Sequence, residues 1–387
     1  VGEAEEMFSE FLSAYRDSGT REVLFENALR IEGIYIPRYY SVEYDDAGRI
    51  HYRKARDNAP EIIRKRTFMD VTRSSLKTAI ITPEAEFSDM YLLEAMRGCV
   101  WSCRFCVAGR IYKPPRRKDL SLLKEEIKEA LTKTRRVGLI GPSLSDYPRI
   151  EEVLSMEGVD FSITSLRASP GSGRIVQLLK GHRSVSIAPE AGTERLRSVI
   201  NKNITDRDIM ETAKLILGSG VATLRLYFMI GLPSETRVDV DEIINMVGRI
   251  REDNRKGFIT LSVSTFVPKP FTPFQWHPME SMKEVKERLK IIKKGLSRMR
   301  GVKVFHDVPK YAYMQGLFAL GDRRTGRMIE QAAFEGGLKW GHKSMNIGRD
   351  LSIFRKKEIT GALPWDFIDI GISRDELWNE YRSAMSM

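Results

Sequence analysis

Cys99, Cys103 and Cys106 are the only cysteines of the chain and share one stretch, Arg97-Gly-Cys-Val-Trp-Ser-Cys-Arg-Phe-Cys106. Iron–sulfur clusters normally take four thiolates. A C-x3-C-x2-C triplet with no fourth thiol therefore leaves one iron open to an outside ligand. A disulfide would strand an odd thiol and is unexpected in a chain with no secretory signal. A Cys3His zinc site needs a histidine at ligand spacing, whereas His51 and His182 are the nearest in sequence. Three buried thiols grouped by chance are the remaining alternative. The spacing favours an iron–sulfur cluster.

Other polar groups follow a positional rule. From about residue 91 short apolar strands alternate with amphipathic helices. Strands are predicted at Tyr91–Met96, Val137–Ile140, Val159–Ser165, Val185–Ala188, Ala222–Ile230 and Phe258–Val267. Asp119 and Thr205 open two of the intervening helices, and Gly218 stops the second. Six strands joined by helices imply a parallel sheet with right-handed crossovers. Eight are needed to close a TIM barrel, so an α/β fold, an open (β/α)6 partial TIM barrel, is expected. Ligands then belong at the carboxyl ends of the strands. The cysteines, Gly141-Pro-Ser-Leu-Ser-Asp146, Arg167, Pro189-Glu190-Ala-Gly-Thr193, Met229-Ile-Gly-Leu-Pro-Ser-Glu235 and Val267-Pro-Lys-Pro270 all fall there.

Three segments are delimited: 1–84, 85–280 and 281–387. The first opens with Val1 and an apolar-periodic helix (Phe8, Phe11, Leu12), and continues to a hairpin at 39–54 around Asp45-Asp46-Ala-Gly48. It reads as a linker region after an upstream domain, against which that helix once packed. The last holds a helix (Val285, Leu289, Ile292, Leu296), a strand at 302–305 and an aromatic-rich tail. His306–Tyr313 and Trp340-Gly-His342 line either the opening of the barrel or a lid that packs over its edge.

With 387 residues, 42% of them apolar, the chain can bury a large core, and no apolar run approaches the roughly 20 residues of a membrane span. A net charge of +11 favours an anionic partner, RNA included, or simply a basic solvated surface.

The cysteine stretch, Ala188-Pro-Glu-Ala-Gly-Thr-Glu-Arg-Leu-Arg197, Tyr227-Phe-Met-Ile-Gly-Leu-Pro-Ser-Glu-Thr236 and Phe266-Val-Pro-Lys-Pro-Phe-Thr-Pro-Phe274 resemble the core of the radical S-adenosylmethionine (SAM) superfamily. With Arg110-Ile-Tyr-Lys-Pro114, Ser143-Leu-Ser-Asp-Tyr147 and Leu363-Pro-Trp-Asp-Phe-Ile-Asp369, the chain is similar to an uncharacterised family in which that core follows a cobalamin-binding domain. The cobalamin motif Asp-x-His-x-x-Gly does not occur here. Cobalamin is therefore expected only with the upstream domain, of whose last turn the opening residues look similar.

The resemblance implies that SAM chelates the open iron and is cleaved by one electron to methionine and a 5′-deoxyadenosyl radical, which abstracts hydrogen from a substrate. Phe105 is similar to an aromatic near the adenine, or is a plain core residue. The loop with Ser143, Ser145 and Asp146 replaces the usual Gly-Gly-Glu that binds the SAM amino group. Arg167 suits the SAM carboxylate, or an ordinary surface pair. Glu190 resembles the acidic residue that binds the ribose. Ile230, Gly231, Leu232 and Val267 resemble the adenine wall, with Gly231 allowing close backbone approach. The implied setting is cytoplasmic, with an electron donor such as flavodoxin or ferredoxin. The function expected is a radical SAM enzyme, acting in methyl transfer in a cobalamin-dependent full-length form or in RNA modification; a non-catalytic cluster-binding scaffold is the alternative. With every thiol spent on one cluster, a methylthiotransferase would need ligands from outside these residues.

Overall fold

Alternation of small or polar with large apolar residues lets each central strand bury one face and leave the other open. In the computed structural model, residues 1–46, 48–72, 76–163, 165–169, 171–178, 182–334 and 353–387 are described. The predicted hairpin is present as antiparallel β1 (Tyr40–Tyr44) and β2 (Ile50–Ala55). Three parallel strands follow, β3 (Tyr91–Glu94), β4 (Arg136–Ile140) and β5 (Asp160–Ile163), in that order. A second parallel sheet holds β6 (Ser184–Glu190), β7 (Thr223–Ile230), β8 (Phe258–Thr265) and β9 (Val302–His306), in the order β9-β8-β7-β6. Among the described residues the two sheets are joined by one parallel bridge, Leu166 to Ile187. The succession is an open partial barrel, with β3 and β9 at its edges.

The strand expected at 302–305 is β9, and it pairs in parallel with β8. The sheet thus continues past residue 280 into the segment delimited as a C-terminal extension. Helix Met282–Leu296 provides the crossover, burying Val285, Leu289, Ile292 and Leu296. Met96, expected to end the first strand, instead opens a two-residue ladder in which Met96–Arg97 pairs antiparallel with Arg116–Arg117.

Leu224, Leu226, Phe228 and Ile230 of β7 are fully buried, as are Ile259 and Leu261 of β8. They pack against Ile209, Ala213 and Ile216 of helix Asp206–Gly218 and Val240, Ile243 and Val247 of helix Arg237–Asp253. Each such side chain contributes about 1.5–3 kcal/mol by leaving water. Thr205 with Asp208, and Thr236 with Asp239, form capping boxes that start these two helices. Asp119 occupies the N-cap position of helix Leu120–Leu131 but makes no side-chain capping bond.

A second apolar cluster, with Phe274, Trp276, Trp365 and Tyr381, carries the C-terminal helix Arg374–Met385. At the other end, helix Met7–Arg16 buries no side chain, and Phe8 is 58% exposed. The exposed stripe accompanies a firm anchor just before it, described below.

Candidate functional site

The cysteine loop is closed at its root by charge. The short ladder sets Arg97 beside Arg116, and Glu3 lies between them, accepting from Arg97 Nη1 (2.7 Å) and from both Arg116 terminal nitrogens (2.7 Å each). All three side chains are buried. Glu5 and Glu94 complete the pairing of Arg97. Gly98 has φ +80°, and a side chain there would meet the Tyr112 carbonyl at 2.2 Å, so only glycine permits this entry.

Cys103 is buried, Cys99 and Cys106 are half-buried, and none is in a disulfide. The Cys106 amide donates to the Cys103 carbonyl at 3.1 Å. Burial pushes the Cys99 and Cys103 thiols up, while the charges of Lys202 and Arg167 act on Cys103 in the opposite direction. Among the described residues no three His, Cys, Asp or Glu side chains converge on a point where a single ion could sit. The donors the loop offers are the three cysteine sulfurs, with Lys202 and Arg167 acting on Cys103. That chemistry fits an iron–sulfur cluster of net negative charge better than a zinc ion.

From behind, the Arg104 amide donates to Ile200 O at 2.9 Å and its guanidinium to Val199 O at 2.8 Å, at the C-terminal end of helix Glu194–Val199, where a cation is favoured. Asn201 Nδ2 and Arg110 Nη2 both donate to Ser102 O, at 2.9 and 3.1 Å. Arg110 has no exposure and forms a two-pronged pair with Glu380 of the C-terminal helix, 2.7 Å on each arm. The tail of the chain thus braces the loop.

Beyond β4, Asp146 accepts from Trp101 Nε1 at 2.7 Å and from Ser143 Oγ at 2.5 Å. Ser143 is buried, and Ser145 Oγ is buried without a partner among the described residues. Arg167 lies 3.7 Å from the centre of the Trp101 ring and donates to Asn203 O at 3.0 Å and to Lys202 O. Glu190 ends β6 with φ +69° and pairs with Lys202 Nζ at 3.2 Å. Burial pushes its carboxyl upward, against the pull of Lys202. Asp146, Arg167 and Glu190 thus all act on the cysteine loop.

Two residues in this ring escaped the sequence reading. Trp101 was legible only as an aromatic between two cysteines. Lys202 sits between Asn201 and Asn203, both in the left-handed region (φ +54° and +48°), and paired asparagines after a short helix signal a tight turn.

The adenine-side residues divide. Phe105 and Val267 line one cavity of about 460 Å³ with Met229, Lys269, Asp307 and Tyr311. Of the segments assigned to opening or lid, Asp307, Val308 and Tyr311 face this cavity, whereas Trp340 and His342 lie outside the described residues. The Ile230 side chain is fully buried in the core between sheet and helices, so only its backbone faces the strand ends. Gly231 (φ +80°) donates its amide to Glu235 Oε2 at 2.7 Å, and Arg288 pairs with that carboxylate at 2.6 Å. Glu235 thus orients the turn, and Leu232 is buried behind it. A separate cavity of about 510 Å³ lies between the hairpin and residues 355–364, with no lining residue from the cysteine loop. No described helix is long and apolar enough to cross a membrane.

Comparison with known proteins matches residues 93–247 to the radical SAM superfamily. An uncharacterised protein of Methanocaldococcus jannaschii is 38% identical over 253 residues, 64% of this chain and 55% of that protein. The ribosomal protein uS12 methylthiotransferase RimO of Desulforudis audaxviator is 25% identical over 297 residues, 71% of this chain and 63% of its own. Among solved structures, the cobalamin-dependent S-adenosylmethionine radical enzyme OxsB with aqua-cobalamin bound aligns with a TM-score of 0.44 at 12% identity, covering 100% of this chain and 63% of that one. The chain thus spans about half to two-thirds of the length of these curated relatives. Residues 93–247 thus form a radical SAM domain.

Proposed function

We propose that the chain is a radical SAM enzyme whose cluster is held by Cys99, Cys103 and Cys106. The observation that carries this reading is a strand-end loop of three thiols in which Arg167 acts on Cys99 and Cys103, and Lys202 and Glu190 act on Cys103. When bound, the [4Fe–4S] cluster and SAM together supply reductive carbon–sulfur cleavage to a 5′-deoxyadenosyl radical able to abstract hydrogen. The protein's own part is to bind, orient and exclude water.

In this reading Arg167, fixed against Trp101, offers its guanidinium to the SAM carboxylate. Asp146, with Ser143 and the unpartnered Ser145, receives the amino group. Glu190 accepts from the ribose hydroxyls, held in place by Lys202. Phe105, Val267 and the backbone at Ile230–Leu232 with Gly231 flank the adenine. An electron donor such as flavodoxin or ferredoxin belongs to the same reading. Methyl transfer with cobalamin, as the resemblance implies for a longer form, would draw on residues outside these 387. Since all three cysteines sit in one loop, the chain has no thiolates for a second cluster, and methylthio transfer is not assigned to it.

Anaerobic reconstitution with iron and sulfide, followed by dithionite and SAM, tests the proposal. Formation of 5′-deoxyadenosine is expected. Its absence from fully reconstituted protein overturns the enzymatic reading in favour of a cluster-binding scaffold.

A further inference from the structure

The inner face of a closed barrel is filled with bulky branched side chains. Here it is not. On β6, β7 and β8 the buried apolar residues point to the helices, and the alternate positions include Ser184 and Ser186, Arg225 and Tyr227, and Thr260, Ser262 and Ser264, with Phe258 and Met229 the large apolar residues at the two ends of that face. Register brings four of these positions level. Arg225 is opposite Ser186 on one side and Thr260 on the other, and Thr260 is opposite Lys303 of β9. Arg225 and Lys303 are exposed. Among the described residues neither has a hydrogen-bond or ion-pair partner, nor do the hydroxyls of Ser162, Ser184 and Ser186. A small cavity of about 190 Å³ opens beside Arg225, lined also by Ser162, Ser184, Ser186, His182 and Tyr227. Asp160, at the start of β5, is the acidic group that acts on His182.

Two cations two strands apart stand roughly 10 Å from each other at their backbones, within reach of one ligand through long side chains. Thr260 lies between them on β8, and Ser186 flanks Arg225 on its other side. A guanidinium fork with several hydroxyls matches a tetrahedral oxyanion. The rung is four residues below Glu190 and Met229, about 13 Å along the strands.

We propose that this rung binds the phosphate group of an elongated substrate whose other end reaches the strand-end loops. The inference rests on the reading of those loops as the site of SAM chemistry, and adds the substrate class: a phosphorylated compound with its reacting carbon about 13 Å from the phosphate.

The probe is inorganic phosphate, titrated by phosphorus NMR into the anaerobically reconstituted full chain without SAM, with acetate as comparison. Saturable phosphate binding is expected, at least tenfold tighter than acetate. It should weaken at least tenfold in Arg225→Ala and in Lys303→Ala, while Arg225→Lys stays closer to wild type. Arg355→Ala, in the separate 510 Å³ cleft, should keep wild-type affinity. Equal affinity in wild type, Arg225→Ala and Lys303→Ala overturns the rung, as does a loss that follows Arg355→Ala instead. A wild-type protein that forms no 5′-deoxyadenosine removes the SAM reading; intact 5′-deoxyadenosine formation with phosphate binding indifferent to Arg225 removes only the phosphate rung.

Discussion

The guanidinium of Arg167 stacks on the indole of Trp101, 3.7 Å from its centre, and the same indole donates to Asp146 at 2.7 Å. One side chain of the cysteine loop therefore positions both polar groups that face it from β4 and β5. Trp101→Phe keeps an aromatic face and removes the donor, and should lower stability by about 1–2 kcal/mol. Trp101→Leu also removes the cation–π contact, and should cost about 1 kcal/mol more. Urea unfolding of the two variants measures the difference; equal stability of both with wild type would show that the indole bridges nothing.

Replacement of any one of Cys99, Cys103 or Cys106 by alanine should abolish the visible absorbance near ~400 nm of reconstituted protein. Iron and sulfide analysis provides the check. A triple variant with a full iron and sulfide load, or zinc as the sole metal after anaerobic preparation, contradicts the assignment.

Glu190 combines a carboxylate role with a left-handed backbone (φ +69°). Glu190→Ala should weaken SAM binding by about 1–3 kcal/mol, through loss of charge-assisted hydrogen bonds. Glu190→Gly should bind SAM equally weakly yet unfold about 1 kcal/mol later than Glu190→Ala, because glycine adopts this backbone without strain. Calorimetry with SAM and thermal melts separate the two effects.

Glu380→Ala leaves the fully buried Arg110 charge without its two-pronged partner. A loss of about 3 kcal/mol is expected, with earlier proteolytic cleavage before the C-terminal helix. Unchanged melting and unchanged proteolysis would show that this pair does not brace the loop.

Burial, helped by the charges of Lys356 and Lys357, lowers His277 from 6.5 to about 4. Its depressed value means that the fold excludes the proton. The contribution to stability is whole above pH 6.5 and is lost as pH falls towards 4, reaching of order 3 kcal/mol. Acid unfolding of His277→Gln should be flatter across that window than wild type. Parallel curves would show that other groups govern acid stability.

Legibility in the sequence followed the range of the interaction. The cysteine spacing, the β1–β2 hairpin and the strand–helix alternation are local patterns, and all were readable. So was the placement of Gly141–Asp146, Arg167 and Glu190 after strands, because a parallel sheet puts its loops at one end. Glu3 between Arg97 and Arg116, and Arg110 with Glu380, are not readable, since pairs separated by about a hundred residues or more leave no periodic trace. A strand was seen at 302–305, but its partner was not, as pairing depends on the crossover helix. Ile230 shows the limit of motif reasoning: the motif places its backbone at the strand end, while the two-residue period turns its side chain into the core.

The bridge from Leu166 to Ile187 has a mechanical meaning. The thiols, Trp101 and Asp146 ride on one slab, β3 to β5; Glu190, Met229 and Val267 ride on the other, β6 to β9. Full ladders resist shear; among the described residues this seam has one bridge, and Arg104, Asn201 and Arg167 cross it with hydrogen bonds to backbone carbonyls. The spacing between thiols and carboxylate is thus held by side chains that cross the seam rather than by the sheet itself, so a change at Arg104 or Asn201 would be felt at the thiols.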